Sequence, residues 1–293
     1  MSVANDSAEA PNRVPINDLR AGPRVCATTP RRDREISGYL RPEKPIYSRH
    51  TGLHGSRLAF YCRLPHNACR RMGNQCMFDA AKARRLMVEG QIRTADVTDT
   101  AVLDAIQTLP RERFLPPALV QLAYMDGDIP VRRGRSLLRP MVLAKLVQAA
   151  RIEPDDRVLV VGCATGYSAA LISRLAASVV ALEEDAELAG QAKEALASIG
   201  AANVEVVIGP LAAGWLAGGP YDVIFIDGAT EIPPDTLGGQ LKPSGCLIGV
   251  YRPTAASKAT IFHFVEGHMV GRPVFDAAAR VLPGFSAPPQ FVF

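Results

Sequence analysis

From Arg157 onward the chain repeats one pattern: a short apolar run of strand length, then a stretch with helical spacing. The runs are 157–161, 179–182, 204–208, 221–226 and 245–250, and the segments 166–176, 185–199 and 231–241 between them carry apolar residues at helical intervals. Nearly continuous Val, Ile and Leu is what strands covered on both faces look like. Strand–helix alternation joins such strands in parallel through crossover helices. Two more strands are expected at 259–265 and 273–282, with Glu266-Gly267-His268 turning the chain back into an antiparallel edge. The expectation is an α/β fold around a mostly parallel seven-stranded sheet. Helical patterning at 79–92, 99–108, 116–124 and 140–150 adds a helical N-terminal subregion. Thr98 or Asp99 is placed to cap the second of these helices, and Pro140 stands at a first-turn position where a missing N–H costs nothing.

Residues 1–76 read differently. Prolines at 11, 15, 23, 30, 42, 45 and 65 punctuate a stretch with neither helical nor strand periodicity. Such a stretch buries too little apolar surface to offset its chain entropy, so disorder is expected. It carries 13 Lys+Arg against 6 Asp+Glu, leaving 20 against 23 for residues 77–293. The net charge of +4 is therefore a property of the leader, and the body shows no basic footprint for nucleic acid. Cys26, Cys62, Cys69 and Cys76 also lie here, near His66, but no Cys-x-x-Cys pair occurs and no metal site is expected. No run of about 18 apolar residues suggests a membrane helix. Six cysteines without a secretory signal suggest free thiols and a cytoplasmic setting. A monomer or weak homo-oligomer is expected.

Gly162-Cys163-Ala164-Thr165-Gly166 lies between the first strand and its helix. Glycines there let a ligand approach the backbone, with a helix N-terminus behind it. Glu183 ends the next strand, where a carboxylate can accept hydrogen bonds from both hydroxyls of a ribose. The loop lacks the third glycine of the dinucleotide fingerprint, and no Gly-Lys-[Ser/Thr] phosphate loop occurs. A nucleoside ligand without phosphate, S-adenosylmethionine, fits these residues; an ordinary strand–helix turn is the competing explanation.

Several phrases, in one order, resemble the protein-L-isoaspartate O-methyltransferase family over about 79–250. They are Met87-Val-Glu-Gly-Gln-Ile-Arg93, Pro110-Arg-Glu-Arg-Phe-Leu-Pro-Pro117, Leu122-Ala-Tyr-Met-Asp126, Val158 to Tyr167, Asn203 to Gly209 with Gly214-Trp215, Glu231-Ile-Pro-Pro234 and Gln240-Leu-Lys-Pro-Ser-Gly245. The resemblance implies a Rossmann-like class I S-adenosylmethionine-dependent methyltransferase that methylates the free carboxylate of isoaspartyl residues in damaged proteins or peptides. It implies a cofactor site formed by Gly162, Cys163, Ala164, Gly166, Tyr167, Glu183, Leu211 and Asp227. Cys163 is expected to be a small buried thiol.

The chain also departs from the family pattern. Leu138 stands where a substrate-facing serine is usual, and a leucine cannot donate to a carboxylate. Ser136 keeps a hydroxyl nearby, and Arg139 can grip a carboxylate through two hydrogen bonds; these two are the catalytic candidates. Arg132, Arg133, Arg135 and Arg139 together are either that grip or a solvated basic loop. Val160 replaces an acidic residue, Ala164 a glycine, Pro210 an aspartate and Leu211 a glycine. These changes favour an alternative in which a non-catalytic or altered-substrate relative keeps the fold as a sensor or interaction module. Met77 opens the patterned segment Phe78 to Val88, so the mature chain is expected to begin near it. Mass spectrometry of the native protein is expected to find no peptides from 1–70; recovering them would refute that start.

Overall fold

The computed structural model describes residues 78–288, Arg133 excepted. The expectations for the leader, its cysteines and Arg133 lie outside the described residues. Helix α1 (Ala80–Met87) starts at Asp79, whose carboxylate accepts from the Lys82 amide. It does not continue regularly to 92: one π turn (Val88–Ile92) and one 3₁₀ turn (Arg93–Ala95) follow. Helix α2 (Thr100–Thr108) is capped by Asp99, which accepts from the Ala101 and Val102 amides as its sequence position suggests. The helix expected at 116–124 is only a 3₁₀ segment, Pro117–Leu122. A hairpin follows, β1 (Ile129–Arg132) against β2 (Arg135–Leu137), and then α3 (Pro140–Ala150) with proline in its first turn.

The main sheet begins with β3 (Arg157–Val161), followed by α4 (Tyr167–Ile172), β4 (Ser178–Glu183), α5 (Ala186–Ser198) and β5 (Val204–Ile208). Next come β6 (Tyr221–Thr230), α6 (Asp235–Gly238), β7 (Leu241–Tyr251), β8 (Lys258–Val265) and β9 (His268–Asp276). Strand order is β5-β4-β3-β6-β7-β8-β9, with β5 to β7 parallel and β8 and β9 antiparallel. This is the expected seven-stranded sheet with its antiparallel edge. The chain winds outward from β3 to β4 and β5, then returns to β6 on the other side. The gap beyond the ends of β3 and β6 is thus a topological switch point, where open α/β sheets bind ligands.

Burial alternates along β3 as the pleat requires. Val158 and Val160 join one core layer with residues of α2, α3 and α4; Leu159 and Val161 join the other with Leu237 and Phe262. Val160 is therefore an interior packing residue.

Two boundaries here correct the sequence reading. The helix expected at 231–241 shrinks to Asp235–Gly238, since Pro233 and Pro234 block helix on their N-terminal side. The last strand is 268–276 and not 273–282, because the turn closes at once through Glu266 (φ +50°) and Gly267 (φ +89°). Residues beyond it leave the sheet edge and cross back to β6. There Val281 pairs with Ala229, and Leu282 and Glu231 donate backbone hydrogen bonds to Ala229 and Phe285 respectively. Among the described residues, no helix is long and apolar enough to cross a membrane.

Buried Gln240 ties the loop after β5 to the sheet: its Nε2 donates to the Ala213 carbonyl at 2.7 Å, and its Oε1 accepts from the Trp215 amide at 2.9 Å. Gly214 between them has φ +66° and ψ −154°, a conformation that glycine tolerates. Gln240→Ala should lower stability by about 1–3 kcal/mol in urea unfolding, as two backbone groups lose their partner; an unchanged midpoint would contradict this.

Candidate active site

The glycine turn at the end of β3 is held by backbone bonds from the Gly162 and Cys163 amides to the Leu182 carbonyl, at 2.8 and 3.1 Å. Gly162 and Gly166 have φ of +81° and +93°. Ala164 has φ +48° without the freedom of glycine, a conformation costing an L-residue roughly 1–2 kcal/mol. Gly162 is needed for space as well. A Cβ there would lie 2.9 Å from Arg135 Nη2 and 2.9 Å from Leu282 Cδ1. Burial pushes the Cys163 thiol well above the usual range, so it packs as a small unreactive group, as expected. Tyr167 and Leu211 are also buried.

Glu183 is fully buried at the end of β4. Its Oε2 accepts from the Ala164 amide at 2.7 Å and from Arg135 Nη2 at 2.5 Å. Its Oε1 accepts from the Glu184 and Asp185 amides at 3.1 and 3.3 Å. A carboxylate has about four acceptor directions, and all of them are used within the protein. Arg135 is only 5% exposed in its side chain, and its Nε has no partner among the described residues.

Arg135 thus corrects the picture of a uniformly solvated basic loop. Arg132 is on the surface, pairing with Asp185 at 2.7 Å and with Glu187. Arg139 is 43% exposed and lies 3.6 Å from Asp126, while its amide donates to Asp128. Ser136 and Leu138 are buried. Leu138 contributes its carbonyl, which accepts from Arg111 Nη2 at 2.7 Å.

A second buried polar group adjoins the first. Asp227, in β6, accepts from Ser168 Oγ at 2.5 Å through Oδ2, and its Oδ1 has no partner among the described residues. Burial pushes its carboxyl up to about 6, against the pull of Ser168 and the positive charges of Arg135 and Arg111. Arg111 is completely buried, lies 4.5 Å over the Tyr167 ring and leaves Nη1 unpartnered. The sequence reading did not single out Arg111, Ser168 or Leu282. Only Arg111 carried a signal, as the arginine of the Pro110–Pro117 phrase.

The space enclosed by Arg135, Ser136, Leu138, Asp227, Gly228 and Leu282 is too small for a water molecule. An open cleft of about 540 Å³ lies elsewhere, between the 114–117 turn and α5, touching Thr165 and Glu194. Among the described residues, no three His, Cys, Asp or Glu side chains converge on a metal site.

Comparison with known proteins places the chain in a family. The protein-L-isoaspartate O-methyltransferase of Methylorubrum extorquens (strain PA1) is 41% identical over 170 residues, covering 58% of this chain and 74% of that protein. The enzyme of the same name from Protochlamydia amoebophila (strain UWE25) is 39% identical over 173 residues, covering 59% and 82%. A solved protein-L-isoaspartate O-methyltransferase superposes with a TM-score of 0.59 at 25% identity, over 69% of this chain and 65% of that one. A Plasmodium falciparum beta-aspartate methyltransferase, solved in complex with S-adenosyl-L-homocysteine, shares the fold with a TM-score of 0.58 at 16% identity, over 68% of this chain and 97% of that one. The model of the protein-L-isoaspartate(D-aspartate) O-methyltransferase (PCMT) family matches residues 82–262, and the chain belongs to that family.

Proposed function

We propose that the chain transfers the methyl group of S-adenosylmethionine to the free carboxylate of isoaspartyl residues in proteins and peptides, a repair reaction in the cytoplasm. The observation that carries this reading is Glu183: a buried carboxylate ending β4 beside a glycine turn, at the switch point of a class I methyltransferase sheet. The residues suit the nucleoside end of the donor. Glu183 would take the ribose hydroxyls, with Gly162, Cys163, Ala164, Gly166 and Tyr167 as backbone and walls. Leu211 would flank the ring, and Asp227 offers an acceptor through its free Oδ1. When bound, the sulfonium supplies the methyl electrophile.

The chain's own work is then alignment and exclusion of water. A substrate carboxylate is ionised at neutral pH, so no general base has to be found. Positioning a reacting pair removes much of such a barrier. On the substrate side, Leu138 offers no donor, leaving the Ser136 hydroxyl and the Arg139 guanidinium to hold the carboxylate. The Arg139 guanidinium is accessible and, among the described residues, pairs with exposed Asp126, so it is free to change partners. The free thiols of Cys163 and Cys246 suit a reducing compartment.

Methyl transfer from labelled S-adenosylmethionine to an isoaspartyl peptide tests this reading, with the aspartyl peptide as control. Arg139→Ala is expected to lower kcat/KM by about 10- to 100-fold, the worth of a hydrogen bond to a charge. Unchanged kinetics would exclude Arg139, and no transfer to the isoaspartyl peptide would point to a different carboxylate substrate. Asp227 predicts a pH dependence. Its folded value of about 6 lies above its ordinary 3.8, so the folded state holds the proton more tightly. Stability should therefore fall as pH rises from about 4 to 6, by roughly 3 kcal/mol in all, and level off above. Asp227→Asn should remove that slope in urea unfolding; parallel curves would contradict the assignment.

A further inference from the structure

The filled coordination of Glu183 bears on how the cofactor enters, taking as given the reading above that Glu183 receives the ribose. We propose that Arg135 is an internal competitor of the cofactor: its guanidinium sits on Glu183 where the ribose hydroxyls would go, and it must leave before the cofactor can bind.

Two ribose hydroxyls need two acceptor directions from Glu183, and none is spare. The Ala164, Glu184 and Asp185 amides belong to the turn and the strand end, so they cannot withdraw without undoing the fold. Arg135 is the partner that can withdraw, since a long side chain carries it. Its guanidinium also occupies the open face of Gly162, the approach that the absent side chain leaves for a ligand. Leu282 closes the same face from the opposite end of the sequence. Behind the guanidinium, the adjoining space between Arg135, Asp227, Gly228 and Leu282 admits no water either.

The contact is imperfect in a way that suits a removable group. Arg135 Nε is buried without a partner, and a buried donor left unpaired opposes the closed arrangement. What holds it closed is the pair with Glu183, reinforced on the surface by Arg132, which fastens the same hairpin to Asp185 and Glu187 just beyond Glu183. When a binding-competent form is only a fraction of the population, apparent affinity falls by that fraction. Removing the competitor should therefore tighten binding although it removes a contact from the site.

Calorimetric titration of the full chain with S-adenosylhomocysteine tests this, comparing wild type with Arg135→Ala and checking each by its unfolding temperature. The expected result is binding at least tenfold tighter in the variant. Equal or weaker binding by a folded variant would overturn the competitor role while leaving the cofactor reading intact. A crystal structure of the wild-type complex with S-adenosylhomocysteine gives a second reading that needs no variant. Arg135 turned away from Glu183 supports the proposal, and the pair retained with ligand bound refutes it. If folded wild type and variant both fail to bind at millimolar ligand, the competitor role and the cofactor reading fall together.

Discussion

Strand β3 pairs along both edges, with β4 and β6, and buries both faces. It has no freedom to slide, because a one-residue slip would exchange its two side-chain sets between core layers. Each group in the candidate site takes its place from where this strand and its two neighbours end. The glycine turn leaves β3, Glu183 closes β4, and Asp227 lies in β6 within the stretch, Phe225 to Ala229, where its register with β7 shifts. Three positions far apart in sequence meet because the ladder fixes three strand ends in one plane.

That meeting point is unusually charged for an interior. Arg111, Arg135, Glu183 and Asp227 are all buried, and each carries an obligation to find partners. Glu183 meets it in full. Arg135, Asp227 and Arg111 each leave one polar atom unmatched. Buried groups that are half satisfied weaken a core, and a stable protein keeps them where something other than stability is at stake. Here they line the ligand end of the sheet. The aliphatic layers around β3 provide the rigidity that makes the expense tolerable.

The fold was legible because its signals are local. Val158 to Val161 can be read as a buried strand from four residues, and Asp99 and Pro140 announce helix starts from single positions. Strands β6 and β7 run longer than their apolar runs. Their outer parts, Gly228-Ala229-Thr230 and Leu241 to Gly245, are strand through backbone pairing and not through composition. The site was legible where it is made of backbone, at Gly162 and Gly166, and where one carboxylate ends a strand. Arg135 was not. It sits among arginines that look solvated, and the partner that draws it inward lies 48 residues away. Leu282 was hidden for the same reason, since it comes from a stretch that looked like the end of an edge strand.

The crossing of residues 277–287 back to β6 has a consequence for assembly. Strands β3 to β6, with the turn, Glu183 and Asp227, are complete in sequence by Thr230. Leu282, which closes the face of Gly162, comes more than fifty positions later. A chain emerging from the ribosome presents the glycine turn, Glu183 and Asp227 first and Leu282 last. During synthesis there is thus an interval in which these groups have all been made and Leu282, the side chain that packs against Gly162, has not.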